Sequence, residues 1–143
     1  MPLVTPDTGE LELLDKMLKD ALTVDENYIL QLFNHAEIVS AATVSADFTA
    51  STFTNYVTKT LTRANWAVAT INGSNKADTA YSTALSWTCG ATGDTVFGYW
   101  VVGATSSTTL WAERFGTSRV LASGDVLNLT PRFTLNSENA TSP

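Results

Sequence analysis

One cysteine and one histidine in 143 residues set the first limits on this chain. Cys89 has no second thiol to meet, so an intrachain disulfide is excluded. A zinc site takes about four Cys, His or carboxylate ligands, and a lone His35 with a distant Cys89 makes a poor start on one. Charge is scarce too, at 15 % of residues against roughly 25 % in ordinary soluble domains. Basic residues are the scarcer sign, eight against fourteen acids, for a net charge of −6. That balance argues against a nucleic-acid partner, whose phosphates require a Lys/Arg footprint. No run approaches the roughly eighteen consecutive apolar residues of a membrane span. The opening MPLVTPDTGE lacks the basic-then-apolar pattern of a signal peptide, so the expected place of synthesis and assembly is a cytoplasm. No glycines have phosphate-loop spacing and no serine stands in a nucleophile elbow.

What the chain does have is apolar and β-forming. It is 44 % hydrophobic, with four Trp, four Tyr and six Phe, enough for one domain with a full core. Ser and Thr fill the polar positions, and threonine's branched Cβ suits a strand. Residues 96–102 are apolar on both faces, with Phe97, Tyr99 and Val101 expected opposite Val96, Trp100 and Val102. Residues 109–115 set Trp111, Glu113 and Phe115 against Leu110, Ala112 and Arg114. Residues 126–135 alternate, Leu127, Leu129, Phe133 and Leu135 on one side and Asn128, Thr130, Arg132 and Thr134 on the other. Further strands are predicted over 28–34, 56–61, 66–71, 77–82 and 85–89, with a type I′ turn signal at Asn72-Gly73. Phe48 and Phe53 look like pins holding a long polar connection, with room for one helical turn. The predicted fold is all-β: an antiparallel β-sandwich, jelly-roll-like, with one N-terminal amphipathic helix.

That helix is predicted over residues 8–22. Asp7 can cap it and Glu10 can return the bond. Leu11, Leu14, Met17, Leu18 and Leu22 recur at helical spacing, while Glu12, Asp15, Lys16, Lys19 and Asp20 take the other side. Such a stripe packs either on the domain's own sheet or on a neighbouring subunit. With Leu3 and Val4 it forms the candidate interface. Residues 1–22 are thus read as an arm and helix, 23–135 as the β-sandwich domain and 136–143 as a flexible tail. The acids concentrate at the same end: residues 1–47 hold nine acids and two bases, the remainder five and six. A solvated helix face explains this, and so does a basic partner surface.

No residue is assigned a catalytic role, and no cofactor or metal is expected. Cys89, at a strand end, reads as a small buried thiol. Glu113 is expected to pair across its strand with Arg or Lys. Trp66, Trp87, Trp100 and Trp111 sit inside apolar strands and read as core, with sugar stacking as the alternative.

Several runs together carry a resemblance. GELELLDKMLKDAL, DENYILQLF, ADFTASTFTNYVTKTLTRANW, TVFGYWVV, LWAERF and GDVLNLTPRFTL resemble a group of small structural proteins of tailed bacteriophages. The most specific pieces are residues 48–66, Gly98-Tyr99, and 110–115 with Thr130-Pro131. The resemblance implies a non-enzymatic virion component. A head decoration (cement) protein would be a trimeric β-sandwich bound to the major capsid protein at the capsid surface. A tail, baseplate or fibre protein, or a carbohydrate-binding receptor module, is the alternative.

Overall fold

A computed structural model describes residues 26–71 and 77–134 of the chain. The arm with its helix, the interface candidates Leu3, Val4, Leu11, Leu14, Met17, Leu18 and Leu22, the Asn72-Gly73 turn and the tail lie outside the described residues. Within them the chain is mostly β, in antiparallel sheets, with two short 3₁₀ turns at Ser45–Asp47 and Arg63–Asn65. Nine strands are present: β1 (Tyr28–Phe33), β2 (Lys59–Leu61), β3 (Thr70–Ile71), β4 (Ala77–Ala80), β5 (Leu85–Thr88), β6 (Asp94–Gly103), β7 (Thr109–Leu121), β8 (Val126–Leu129) and β9 (Arg132–Thr134). They form a four-stranded sheet in the order β2-β1-β6-β7, a three-stranded sheet β3-β4-β9 and a two-stranded sheet β5-β8.

The four-stranded sheet is covered on both faces by its own chain. On one face Leu30, Leu32, Tyr99, Val101, Leu110 and Trp111 join side chains of the two smaller sheets in the larger core cluster. On the other, Phe33, Trp100, Val102 and Ala112 meet Val39 and Phe48 from the long connection after β1. Phe48 stacks on Trp100 at 5.0 Å and 13°, and the Trp100 indole N–H donates to Ser45 Oγ at 3.1 Å. The predicted aromatic pins are therefore real: Phe48 closes the second cluster and Phe53 enters the first. A 3₁₀ turn lies directly before Phe48.

Two register shifts alter the predicted alternation. Between Val96 and Gly98 the β6–β7 pairing slips. Val96 consequently joins Tyr99 and Val101, while Phe97 packs beside Trp100 and Val102, the reverse of strict period two. A second shift, at Val101/Val102, turns Leu110 to the same cluster as Trp111. The pairing moves by three residues at the first shift and by one at the second, and an odd slip reverses the facing of what lies beyond it.

The predicted strand over 126–135 is two strands. Leu127 and Leu129 pair with β5, whereas Arg132 to Thr134 pair with β4 in a different sheet. Pro131 between them has no N–H for a ladder; its ring is fully buried and its carbonyl accepts from Tyr81 N at 2.9 Å. The strands predicted over 56–61 and 66–71 shorten to Lys59–Leu61 and Thr70–Ile71. Ile71 pairs with Ala77.

Carboxylates hold the connections. Buried Glu26 accepts from Thr105 N, from Ser106 N at 3.0 Å and from Ser106 Oγ at 2.9 Å, which caps the β6–β7 loop. Asp94 accepts from Thr52 N at 2.8 Å and Asn34 Nδ2 at 3.2 Å, tying the start of β6 to the long connection. Asp78, also buried, takes Arg132 Nε at 3.0 Å and Thr134 Oγ1 at 3.2 Å across the β4–β9 pair.

Gly98 is one of the tight points of the framework. A Cβ there would lie 2.5 Å from Phe33 Cζ and would also strike the Glu113 carbonyl oxygen. Gly98→Ala is therefore expected to destabilise the protein by about 1–3 kcal/mol through overpacking. Gly116→Ala, where a Cβ meets nothing within 4 Å, serves as the control and should be neutral. Urea midpoints of the two variants check this; equal midpoints would remove the steric account.

Candidate functional site

An aromatic cleft lies where the β1 end of the four-stranded sheet meets the three-stranded sheet. Its volume is about 200 Å³, and Tyr28, Arg63, Trp66, Thr79, Trp111 and Phe133 line it. Each wall has a local cause. Tyr28 opens β1, and its register partner Gly103 has no side chain to cover it. Arg63 begins a 3₁₀ turn whose backbone N–H is held by Asn27 Oδ1 at 3.2 Å. Trp66 ends that turn and bridges to Tyr81. Thr79, on β4, donates its hydroxyl to Ala67 O at 2.6 Å. Phe133 is on β9 and Trp111 on β7.

The rings meet edge to face. Trp66 and Trp111 have centroids 5.9 Å apart at 74°, and Tyr28 and Trp111 are 5.8 Å apart at 71°. Trp66 also stands on Tyr81 at 5.5 Å and 74°, and Phe133 tilts against Trp111 at 5.2 Å. Edge-to-face contacts of this kind favour the ring quadrupoles and fix the walls. Trp111 is 3 % exposed and Trp66 half-buried. The Trp66 indole nitrogen is buried without a hydrogen-bond partner, an arrangement that costs about 1–3 kcal/mol.

The four tryptophans divide. Trp87, Trp100 and Trp111 are core, as expected; Trp87 donates to Val57 O at 2.7 Å and Trp100 to Ser45. Trp66 and Trp111 converge on the cleft. Sequence reasoning did not find that convergence, because the six lining residues are scattered from position 28 to position 133 and share no local pattern.

The other sequence candidates do not come together. Cys89 is a buried free thiol in the larger cluster, 3.5 Å from Thr92 O. His35 packs edge-on against Phe33 of the other cluster and lies 3.3 Å from Glu37. The four-stranded sheet separates them. Among the described residues no three His, Cys, Asp or Glu side chains gather as a metal site. A second groove of about 460 Å³ runs between the end of β7 and β8. Its Asp125 is already committed to Ala122 N at 2.8 Å.

Glu113 corrects one expectation. It pairs across the strand with Tyr99, whose hydroxyl donates to Glu113 Oε2 at 2.8 Å, and not with a base. Burial, then the Glu113 charge and its hydrogen bond, hold the Tyr99 hydroxyl far above the usual phenol range. Burial raises Tyr56 as well, against the opposing hydrogen bond from Leu32 N. A raised folded-state pKa means stability is fully present below the ordinary value of 10.0 and is lost as pH rises above it, where only the unfolded chain gives up its proton. The expected slope from Tyr99 is about 1.4 kcal/mol per pH unit above that value. Tyr99→Phe should flatten the alkaline decline, and also lower stability at neutral pH by about 1–2 kcal/mol by leaving Glu113 without its donor. Urea unfolding between neutral and strongly alkaline pH reads both effects; an unaltered slope in Tyr99→Phe would refute this assignment.

No protein-family model matches the chain, and no curated protein is similar to it at a significant level.

Proposed function

We propose that the chain is a non-enzymatic structural protein of a tailed-bacteriophage virion, a head decoration protein that binds the assembled capsid and stabilises it. In this reading the antiparallel sheets form a jelly-roll-like β-sandwich, the protein assembles as a trimer, and its partner is the major capsid protein at the capsid surface. The arm, with Leu3, Val4, Leu11, Leu14, Met17, Leu18 and Leu22, supplies the contact. The supporting observation is where the resembling residues fall in the structure. Phe48 closes the second cluster, Gly98 admits the Phe33 ring, Tyr99 binds Glu113, and Pro131 carries the chain from one sheet to another. The pieces that carry the resemblance are among those that hold the framework. Stabilisation would follow mass action: a ligand of the assembled shell alone, at a hundredfold its Kd, contributes about 2.7 kcal/mol per site.

The alternative, a tail, baseplate or fibre protein or a glycan-binding receptor module, requires an open aromatic platform. Trp87, Trp100 and Trp111 are 2–3 % exposed, and Trp66 meets Trp111 and Tyr81 edge-on. That geometry weighs against stacking a sugar ring.

Recombinant protein mixed with decoration-free heads of the phage that carries it is expected to co-sediment saturably with expanded heads, not with unassembled capsid protein. It should also raise the temperature at which heads release DNA. Recovery on tails, with none on heads, would overturn the decoration reading in favour of the alternative.

A further inference from the structure

We infer that the aromatic cleft binds a quaternary ammonium head group, held among the rings of Tyr28, Trp66, Trp111 and Phe133. The inference stands or falls apart from the virion reading.

The walls decide first what does not fit, because every polar side chain on the described walls is spoken for or out of reach. The Thr79 hydroxyl donates to Ala67 O at 2.6 Å. The Trp111 indole N–H is bonded to the Tyr99 hydroxyl. The Trp66 indole nitrogen is buried, beyond contact with a molecule seated in the cleft. Tyr28 and Arg63 already have partners within the chain. A sugar, a carboxylate or a primary ammonium brings donors or acceptors that such walls do not answer, and each one buried unanswered weakens binding. A quaternary ammonium carries a charge but no N–H, so it gives up no N–H hydrogen bond on leaving water.

What the walls offer is π surface. Tyr28, Trp66 and Phe133 stand at 71°, 74° and 58° to the plane of Trp111, with centroids 5.8, 5.9 and 5.2 Å from its own. Rings set so steeply around one space turn some of their faces toward it, and the face of an aromatic ring is the negative pole of its quadrupole. A cation within about 6 Å of such rings is attracted by each, the more strongly when water is excluded. Size narrows the class further. The cleft holds about 200 Å³, less than the roughly 300–1,000 Å³ of sites that enclose a whole drug-sized molecule. It therefore suits a head group, with the rest of the bearer left outside. At longer range the net charge of −6 favours a cation. Arg63 is the one charged side chain on the described walls and opposes it, but Arg63 is exposed, and water and salt screen an exposed charge.

Choline and its uncharged isostere, in which carbon replaces the nitrogen, test this on the unaltered full-length chain. Tryptophan fluorescence and calorimetry are expected to show choline binding about tenfold or more tighter than the isostere. Equal affinities would make the cleft merely apolar and overturn the inference, as would an absence of choline binding up to about 10 mM. Variants then place the ligand. Trp66→Phe keeps a π face and should retain most of the affinity, whereas Trp66→Leu should lose about tenfold. Undiminished choline binding by Trp66→Leu would put the ligand elsewhere and overturn the assignment to this cleft. With choline binding established, co-sedimentation with phosphatidylcholine vesicles would assign the head group to a lipid, and its absence would assign it to a free solute.

Discussion

Two-sided burial of β6 is the constraint on which the rest of this structure depends. From Val96 to Val102 the strand has no solvent face: Val96, Tyr99 and Val101 enter one cluster, and Phe97, Trp100 and Val102 pack on the other. A strand in this position requires pairing on both edges and a packed layer above and below. β1 and β7 supply the edges. The two smaller sheets supply one layer, and the connection carrying Val39 and Phe48 supplies the other. The long segment after β1 is thus a layer of the fold in the place where another protein would put a helix or a third sheet.

A small number of carboxylates, Glu26 and Asp78 buried and Asp94 half-buried, hold that layering in register. Glu26, Asp78 and Asp94 are spent on backbone amides, hydroxyls or one arginine. Each sits where a connection has to return to a strand. Hydrogen bonds to a charged acceptor are the stronger class, about 1.5–3 kcal/mol. Their position explains how so lightly charged a chain fixes its loops. The carboxylates within the framework thus act as fasteners.

Much of this was legible in the sequence. The alternation in Tyr28–Phe33, the two-faced apolar character of the β6 run, the pinned loop and the buried thiol were visible because each is a local pattern with one physical meaning. What the sequence concealed depends on register. Period two cannot announce a bulge, so the facings of Val96, Phe97 and Leu110 came out reversed. The alternation of Leu127, Leu129 and Phe133 is genuine, since all three do face the larger cluster. It conceals a change of sheet, because both sheets lie against that one core. Pro131 was the available signal, a residue unable to donate to a central ladder. The cleft was invisible for a further reason: its walls come from five separate strands and turns and meet only when those are assembled.

The passage of the chain through Pro131 has a consequence for how the molecule is made. β8 completes the sheet with β5, and β9 three residues later gives β4 its second neighbour. Neither small sheet can therefore close until the same short stretch of backbone is available to both. On a ribosome, the β4 and β5 segments must wait, unpaired on those edges, while about forty further residues are added at 5–20 per second. The final few residues of the framework then lock both sheets at nearly the same moment. The four-stranded sheet is complete by Leu121, whereas a nascent chain stopped short of residue 126 would lack the closing strands of both small sheets at once.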